Sequence, residues 1–127
     1  MEWYFLLFGL LATMFVSRRA AFRKAKQDGK IPRSQEPDLQ ENKKQFNKKK
    51  LTDRNGKNIL DKNGYPIETR EYTFTREDGT KIVIQDHQSG HDFGGEEGNI
   101  GSHFNVRPNE DTRNGKIEGT EDHYEYE

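Results

Sequence analysis

The sequence predicts a small α+β domain, with a β-hairpin at its centre and a helix ahead of it. Three observations carry that prediction. Residues 70–85 alternate apolar and polar side chains about a single Asp78-Gly79 turn. Residues 17–30 are rich in helix formers and stop at glycine. Charged residues make up 34% of the 127-residue chain and hydrophobic ones only 29%, which suits one modest core.

Much of the apolar content lies in the first 16 residues, so the remainder buries little. Small cores usually need a staple. The chain has no cysteine, which excludes disulfides and thiolate zinc sites. A metal held by His and Asp is the staple still open.

Trp3 to Val16 is apolar or small throughout, and Arg18 and Arg19 follow at once. Spanning hydrocarbon takes about 20 residues, so this run is marginal. A secretory signal places its positive charge before the apolar run, whereas here Glu2 precedes it and the arginines follow. One expectation is a signal anchor at residues 1–16, touching the membrane through residues 3–16 and leaving the C-terminal bulk in the cytoplasm. A core or interfacial helix, or a remnant of an upstream gene, is the other.

Ser17 to Lys30 reads as a helix ended by Gly29, with Phe22 and Ala25 on one weak apolar face. Ile31-Pro32 and Glu36-Pro37 break it. Residues 38–50 are polar and lysine-rich and read as a mobile linker. Residues 17–50 hold twelve basic against four acidic side chains, whereas residues 109–127 hold two against seven. A basic arm of this kind either engages phosphates through counterion release or is a solvated tether.

From Leu51 the pattern changes. Asp53-Arg-Asn55-Gly56 is echoed by Asp61-Lys-Asn63-Gly64, and Asn-Gly is a strong turn signal. Two tight turns are expected. A calcium loop would need a ladder of acidic ligands and a glutamate at its twelfth position, and neither is present. The hairpin follows, with Tyr72 and Phe74 on one strand and Ile82 and Ile84 on the other sharing a face. After Pro108 the chain is polar and turn-rich.

The second hairpin strand delivers Asp86 and His87 at its end. His91, His103 and His123 follow, and a glycine-rich loop with glycines at 90, 94, 95, 98 and 101 leads from His87 to His103, Asn105 and Arg107. Hydrolysing a phosphodiester needs a base for water, a cation for the phosphate charge, and a grip on the phosphate. Neutral histidine is a competent base near pH 7. Asp86 and His87 supply a cation ligand and a base. Neighbouring strand residues face opposite ways, so both serve one site only where the strand ends or bulges. His103 and His123 would complete an imidazole-rich site suited to zinc or nickel, while magnesium prefers oxygen ligands. Arg107 would clamp a phosphate, and the glycine loop would let backbone approach a nucleic acid closely. Taken singly, each has a plainer reading: a surface histidine, a loop without phosphate-loop spacing, an arginine at a turn. The functional reading rests on the combination.

Several stretches together carry a resemblance. They are Ala21-Phe-Arg-Lys-Ala-Lys through Glu36-Pro37-Asp38, Leu51-Thr-Asp-Arg-Asn-Gly, Thr69-Arg-Glu-Tyr72, Ile84-Gln-Asp-His-Gln-Ser-Gly-His91, Gly101-Ser-His-Phe-Asn-Val-Arg-Pro108, and Asn114-Gly-Lys-Ile-Glu-Gly-Thr120 with His123-Tyr124. Over about residues 20–126 the chain resembles the C-terminal toxin modules of bacterial polymorphic toxins assigned to the HNH/endonuclease VII superfamily. In particular it looks like the group marked by an acidic-His pair and further single histidines. Such modules end Rhs-type and other secreted toxins.

The resemblance implies a ββα-metal (HNH-like) nuclease domain over residues 51–127, preceded by the apolar segment 1–16 and the basic helix and linker 17–50. It implies a metal-dependent endonuclease cutting DNA, with RNA as the alternative substrate, and a divalent cofactor (magnesium, manganese, nickel or zinc). It also implies a cognate immunity protein and delivery into a target-cell cytoplasm. By position, His87 would be the general base and Asp86 a metal ligand. His103 and His123 would be further site histidines, with His91 a weaker candidate and Glu71 an acidic outsider one strand away. Two departures stand out. Residues 109–122 lack the helical period that the fold requires after its hairpin, and an apolar run precedes the module in place of a long carrier. The rival readings are a membrane-anchored, non-catalytic binding module (an inactive orphan cassette) whose histidines hold a structural metal or fill the surface, and a ribonuclease using histidine pairs without metal.

Overall fold

The computed structural model describes residues 16–88 and 101–127. These form one helix, α1 (Arg18–Asp28), and five strands: β1 (Asn47–Lys50), β2 (Glu68–Thr75), β3 (Lys81–His87), β4 (His103–Pro108) and β5 (Tyr124–Glu125). The strands make a single antiparallel sheet in chain order.

α1 begins where Ser17 Oγ accepts the Ala20 N–H at 3.0 Å, meeting a donor that the first turn leaves unpaired. It ends at Gly29, whose N–H reaches the Ala25 carbonyl at 2.9 Å. A Cβ at Gly29 would stand 2.7 Å from Ile82 Cδ1, so glycine lets the helix end settle on the sheet. Ala21 and Ala25 are buried there with Ile31, Phe74, Ile82, Ile84, Phe104, Val106 and Tyr124. Phe22 packs edge-on to Tyr72 and Phe104, at centroid distances of 5.3 and 5.2 Å. This is the expected helix and hairpin, and the helix covers the apolar face of the sheet with Ala21, Phe22 and Ala25.

The two Asn-Gly turns form as expected. Asp53 Oδ1 accepts the N–H groups of Asn55 and Lys57 at 2.8 and 3.0 Å, and Asp61 Oδ1 repeats the pattern with Asn63 and Tyr65. Gly56 and Gly64 adopt φ of +80° and +85°, which side chains disfavour. Backbone bonds link the units in a triangle: Leu51 N–H to Ile67 O, Ile59 N–H to Leu51 O, and Ile67 N–H to Ile59 O.

Two expectations need correction. The stretch read as a linker at 38–50 is ordered against the sheet. Its last four residues pair with β2 as an edge strand, Asn47 opposite Glu71 and Lys50 opposite Glu68, and the Asp38 N–H reaches the Thr73 carbonyl at 2.8 Å. Backbone pairing overrides a composition with no apolar face. Next, among the described residues no helix follows the hairpin; a third long strand, β4, does so, and the packing helix comes from the N-terminal side. Among the described residues no helix is long and apolar enough to cross a membrane. The expected anchor and membrane contact, residues 1–15 of that run, lie outside the described residues, as do His91 and the glycines at 90, 94, 95 and 98.

Candidate active site

Antiparallel register decides which side chains meet. Directly opposed residues share a face, and alternate residues return to it. Asp86 opposes Phe104 and Ile84 opposes Val106, on the face covered by α1. The intervening pairs, His87 with His103, Gln85 with Asn105 and Val83 with Arg107, therefore occupy the other face. Glu71 joins them opposite Gln85. His123 extends the β4–β5 register to lie beside Asn105.

Three imidazoles meet on this face. The His87 and His103 rings are 5.0 Å apart, and the His103 and His123 rings 4.7 Å, both edge-to-face. His103 is fully buried. Its Nδ1 lies 2.7 Å from the Gly101 carbonyl. A carbonyl only accepts, so this nitrogen carries the proton, and in neutral His103 Nε2 holds the lone pair. That lone pair faces His87 Nδ1 at 3.2 Å. His87 Nδ1 then donates, and its basic lone pair belongs to Nε2. The Asn105 amide nitrogen, at 3.3 Å from the same His87 nitrogen, is the longer contact and lies beside this bond. These proton positions are assigned from the bonding pattern. Asn105 Oδ1 accepts from His123 Nδ1 at 3.0 Å, which leaves the His123 lone pair on Nε2.

A cleft of about 410 Å³ opens over this face, lined by Lys49, Glu71, His87, Asn105, Arg107 and His123 among others. Its wall is braced. Gln85 Nε2 donates to Glu71 Oε2 at 2.8 Å and to the Thr112 carbonyl at 2.9 Å. Arg107 donates to the Gly115 carbonyl at 2.8 Å, while its enclosed Nε–H has no acceptor among the described residues. Burial lowers the pKa of His123; Asp122 opposes that, Arg107 adds to it, and Glu125 opposes it. A neutral His123 can present a lone pair near pH 7.

The donors that suit a divalent cation here are the His123 Nε2 lone pair and the Glu71 carboxylate. The 3.2 Å His87–His103 nitrogen separation is also near the roughly 3.3 Å between two ligands set at tetrahedral angle about 2.0–2.1 Å from one ion. The donor chemistry fits a divalent ion in part. Among the described residues, no group of three or more His, Cys, Asp or Glu side chains is arranged to hold one.

The structure brings His87, His103, His123 and Arg107 to one face and does not bring Asp86 there. The strand neither ends nor bulges before His87, because pairing runs unbroken to His87 opposite His103. Asp86 points to the helix side. It accepts Arg18 Nη2 at 2.6 Å, Arg18 Nε at 3.1 Å and the Tyr126 hydroxyl at 2.6 Å. Burial and this hydrogen bond raise the Tyr126 pKa and keep the phenol protonated. Asp86 thus ties the N-terminal helix and the C-terminal strand to the strand end that carries His87.

Comparison with known families decides the class. The family model of HNH/Endo VII superfamily nuclease toxins, Tox-HNH-EHHH, matches residues 58–126, more than half of the chain. The chain belongs to this family of nuclease toxins. No curated protein and no solved structure gives a match. The toxin's helix and antiparallel sheet agree with a small α+β nuclease domain, and its family membership implies hydrolysis of phosphodiester bonds. The match begins after β1, so α1 and β1, which complete the core and the sheet, lie outside it. Sequence reasoning missed Gln85 and Lys49 in the toxin's cleft. The period-2 spacing of His103, Asn105 and Arg107 carried the signal for the shared face.

Proposed function

We propose that this nuclease toxin is a divalent-metal-dependent endonuclease that cuts DNA at the imidazole face of its sheet. The observation that carries the reading is the continuous array of His87, His103 and His123, with His87 and His123 lining one cleft and His103 buried between their rings. His87 is the general base: Nε2 takes a proton from the attacking water, the water oxygen forms the new bond to phosphorus, and the P–O bond to the leaving oxygen breaks, that oxygen departing to be protonated from solvent. His103 is a positioning residue. Held by the Gly101 carbonyl, it fixes the His87 ring and stabilises the imidazolium that forms. Arg107 grips a phosphate oxygen from the cleft wall. His123 and Glu71 are the residues that would hold the cation. When bound, a divalent ion neutralises charge on the phosphate and the leaving oxygen. Asp86, expected from the sequence as a ligand, serves this site through the fold.

An immunity protein that covers this cleft, and delivery into a target cell, belong to the same reading. The test is nicking of supercoiled plasmid by the purified chain with magnesium, manganese, nickel or zinc, against a chelator control and an RNA substrate. Metal-dependent nicking supports the reading. Chelator-resistant cleavage of RNA alone replaces it with a metal-free ribonuclease.

A further inference from the structure

We propose that Lys49, Lys50 and Arg113 form a two-sided cradle for a nucleic-acid backbone, seating it across the imidazole face. The nature of the ligand rests on the nuclease reading, but the cradle is tested by binding alone.

The sheet register places the first side. Lys49 opposes Thr69, and Thr69 stands one step beyond the Arg70–Asp86 pair, beside His87. Lys49, Thr69, His87 and His103 therefore form one row across four strands on the cleft face. Strands lie about 4.8 Å apart, so Lys49 starts about 10 Å from His87, a distance its long side chain partly closes. Lys50, the last residue of β1 and one alternation step from Lys49, still borders the same cleft, and Arg113 lines it from beyond β4. A backbone crossing the row meets a cation on each side of the base.

Charge supports this occupant. Lys49, Lys50, Arg107 and Arg113 line the cleft against a single carboxylate, Glu71, in a chain whose net charge is only -1. None of the three cradle cations takes part in an ion pair among the described residues, and all three are exposed. Arg107 adds an enclosed Nε–H without an acceptor among the described residues, a donor that a buried site normally satisfies. Lysines on an edge strand also deter edge-to-edge pairing. That role would be served equally by Lys48, which does not line the cleft. β1 precedes the family-matched segment, so the lysine side of the cradle belongs to the chain's own N-terminal part.

The experiment measures fluorescence anisotropy with a labelled DNA duplex of about 20 base pairs, and with a single-stranded RNA of matching length. The full chain is titrated in chelator between about 50 and 200 mM salt. Each phosphate contact contributes about 0.9 to the slope of log K against log salt on duplex, and about 0.7 on single strands. Lys49→Gln/Lys50→Gln/Arg113→Gln should lower that slope by about 2 to 3 and weaken binding at least tenfold, with an unchanged urea midpoint. Arg19→Gln/Arg23→Gln, on α1, should leave it unaltered. The proposal is overturned if the triple variant keeps the wild-type slope, if the α1 pair lowers it as much, or if the wild type binds neither probe. Binding with the expected slope by a protein that cleaves nothing in any metal would sustain the cradle while removing the nuclease reading.

Discussion

Replacing Asp86 by asparagine separates an acid that holds the fold from an acid that holds a metal. The carboxylate is 2% exposed and accepts three hydrogen bonds, two from Arg18 and one from Tyr126. Removing one partner of a fully buried pair costs about 3–5 kcal/mol. Arg18, however, keeps 43% of its side-chain surface in water, so its guanidinium rehydrates when the carboxylate goes. Hydrogen bonds to charged groups contribute about 1.5–3 kcal/mol, and asparagine retains one acceptor oxygen. A loss of about 2–3 kcal/mol results. For a domain of this size that lowers Tm by roughly 10–15 °C. Thermal and urea unfolding followed by circular dichroism measure it. An Arg18→Gln partner variant should show coupling of about 1–2 kcal/mol in a double-mutant cycle. Well below the new Tm, cleavage should stay within a few-fold of wild type. If Asp86→Asn leaves stability intact but abolishes cleavage, the carboxylate works at the chemistry and the opposite-face argument fails.

Three further outcomes follow from the packing. A fragment of residues 58–127 should fail to fold, with a flat urea profile, because it lacks α1 and Ile31. Phe74, Ile82, Ile84 and Phe104 then lose their cover, and at about 2 kcal/mol each the loss rivals the stability of a small domain. Gly115→Ala should destabilise by about 1–3 kcal/mol, since a Cβ there would sit 2.6 Å from the Asp111 carbonyl oxygen. It should also weaken substrate binding, read as a rise in KM, by shifting the carbonyl that anchors Arg107. Burial lowers the folded-state pKa of His123 below its ordinary 6.5, so the unfolded chain takes up a proton first as pH falls. Its contribution to stability is present above pH 6.5 and is lost on acidification toward the folded pKa. His123→Gln should flatten the urea midpoint against pH in that window, and an unchanged slope would contradict the assignment.

The hairpin was legible because Tyr72, Phe74, Ile82 and Ile84 obey a two-residue period on a shared apolar face. α1 was legible from Ser17, its alanines and Gly29. β4 was hidden, since His103 to Pro108 drew attention as a motif. Its own alternation, with Phe104 and Val106 inward and His103, Asn105 and Arg107 outward, is a strand signature. β1 gave no apolar signal at all, because an edge strand of lysines is held by backbone pairing with β2. His87, His103 and His123 lie ring against ring on one face. Asp86 did not join them, because unbroken register makes adjacent strand residues diverge. The acid that does share their face, Glu71, is distant in sequence and arrives through pairing of β2 with β3.

The most direct test of the account compares DNA cleavage by wild type, His87→Ala and His103→Ala, each confirmed to be folded by its unfolding transition. The account predicts that His87→Ala loses at least about a hundredfold in rate, the scale of general-base catalysis. His103→Ala should lose less and shift the pH-rate profile, because the base loses the partner that orients it. Full activity in a folded His87→Ala protein would contradict the central claim and place the chemistry elsewhere on the molecule.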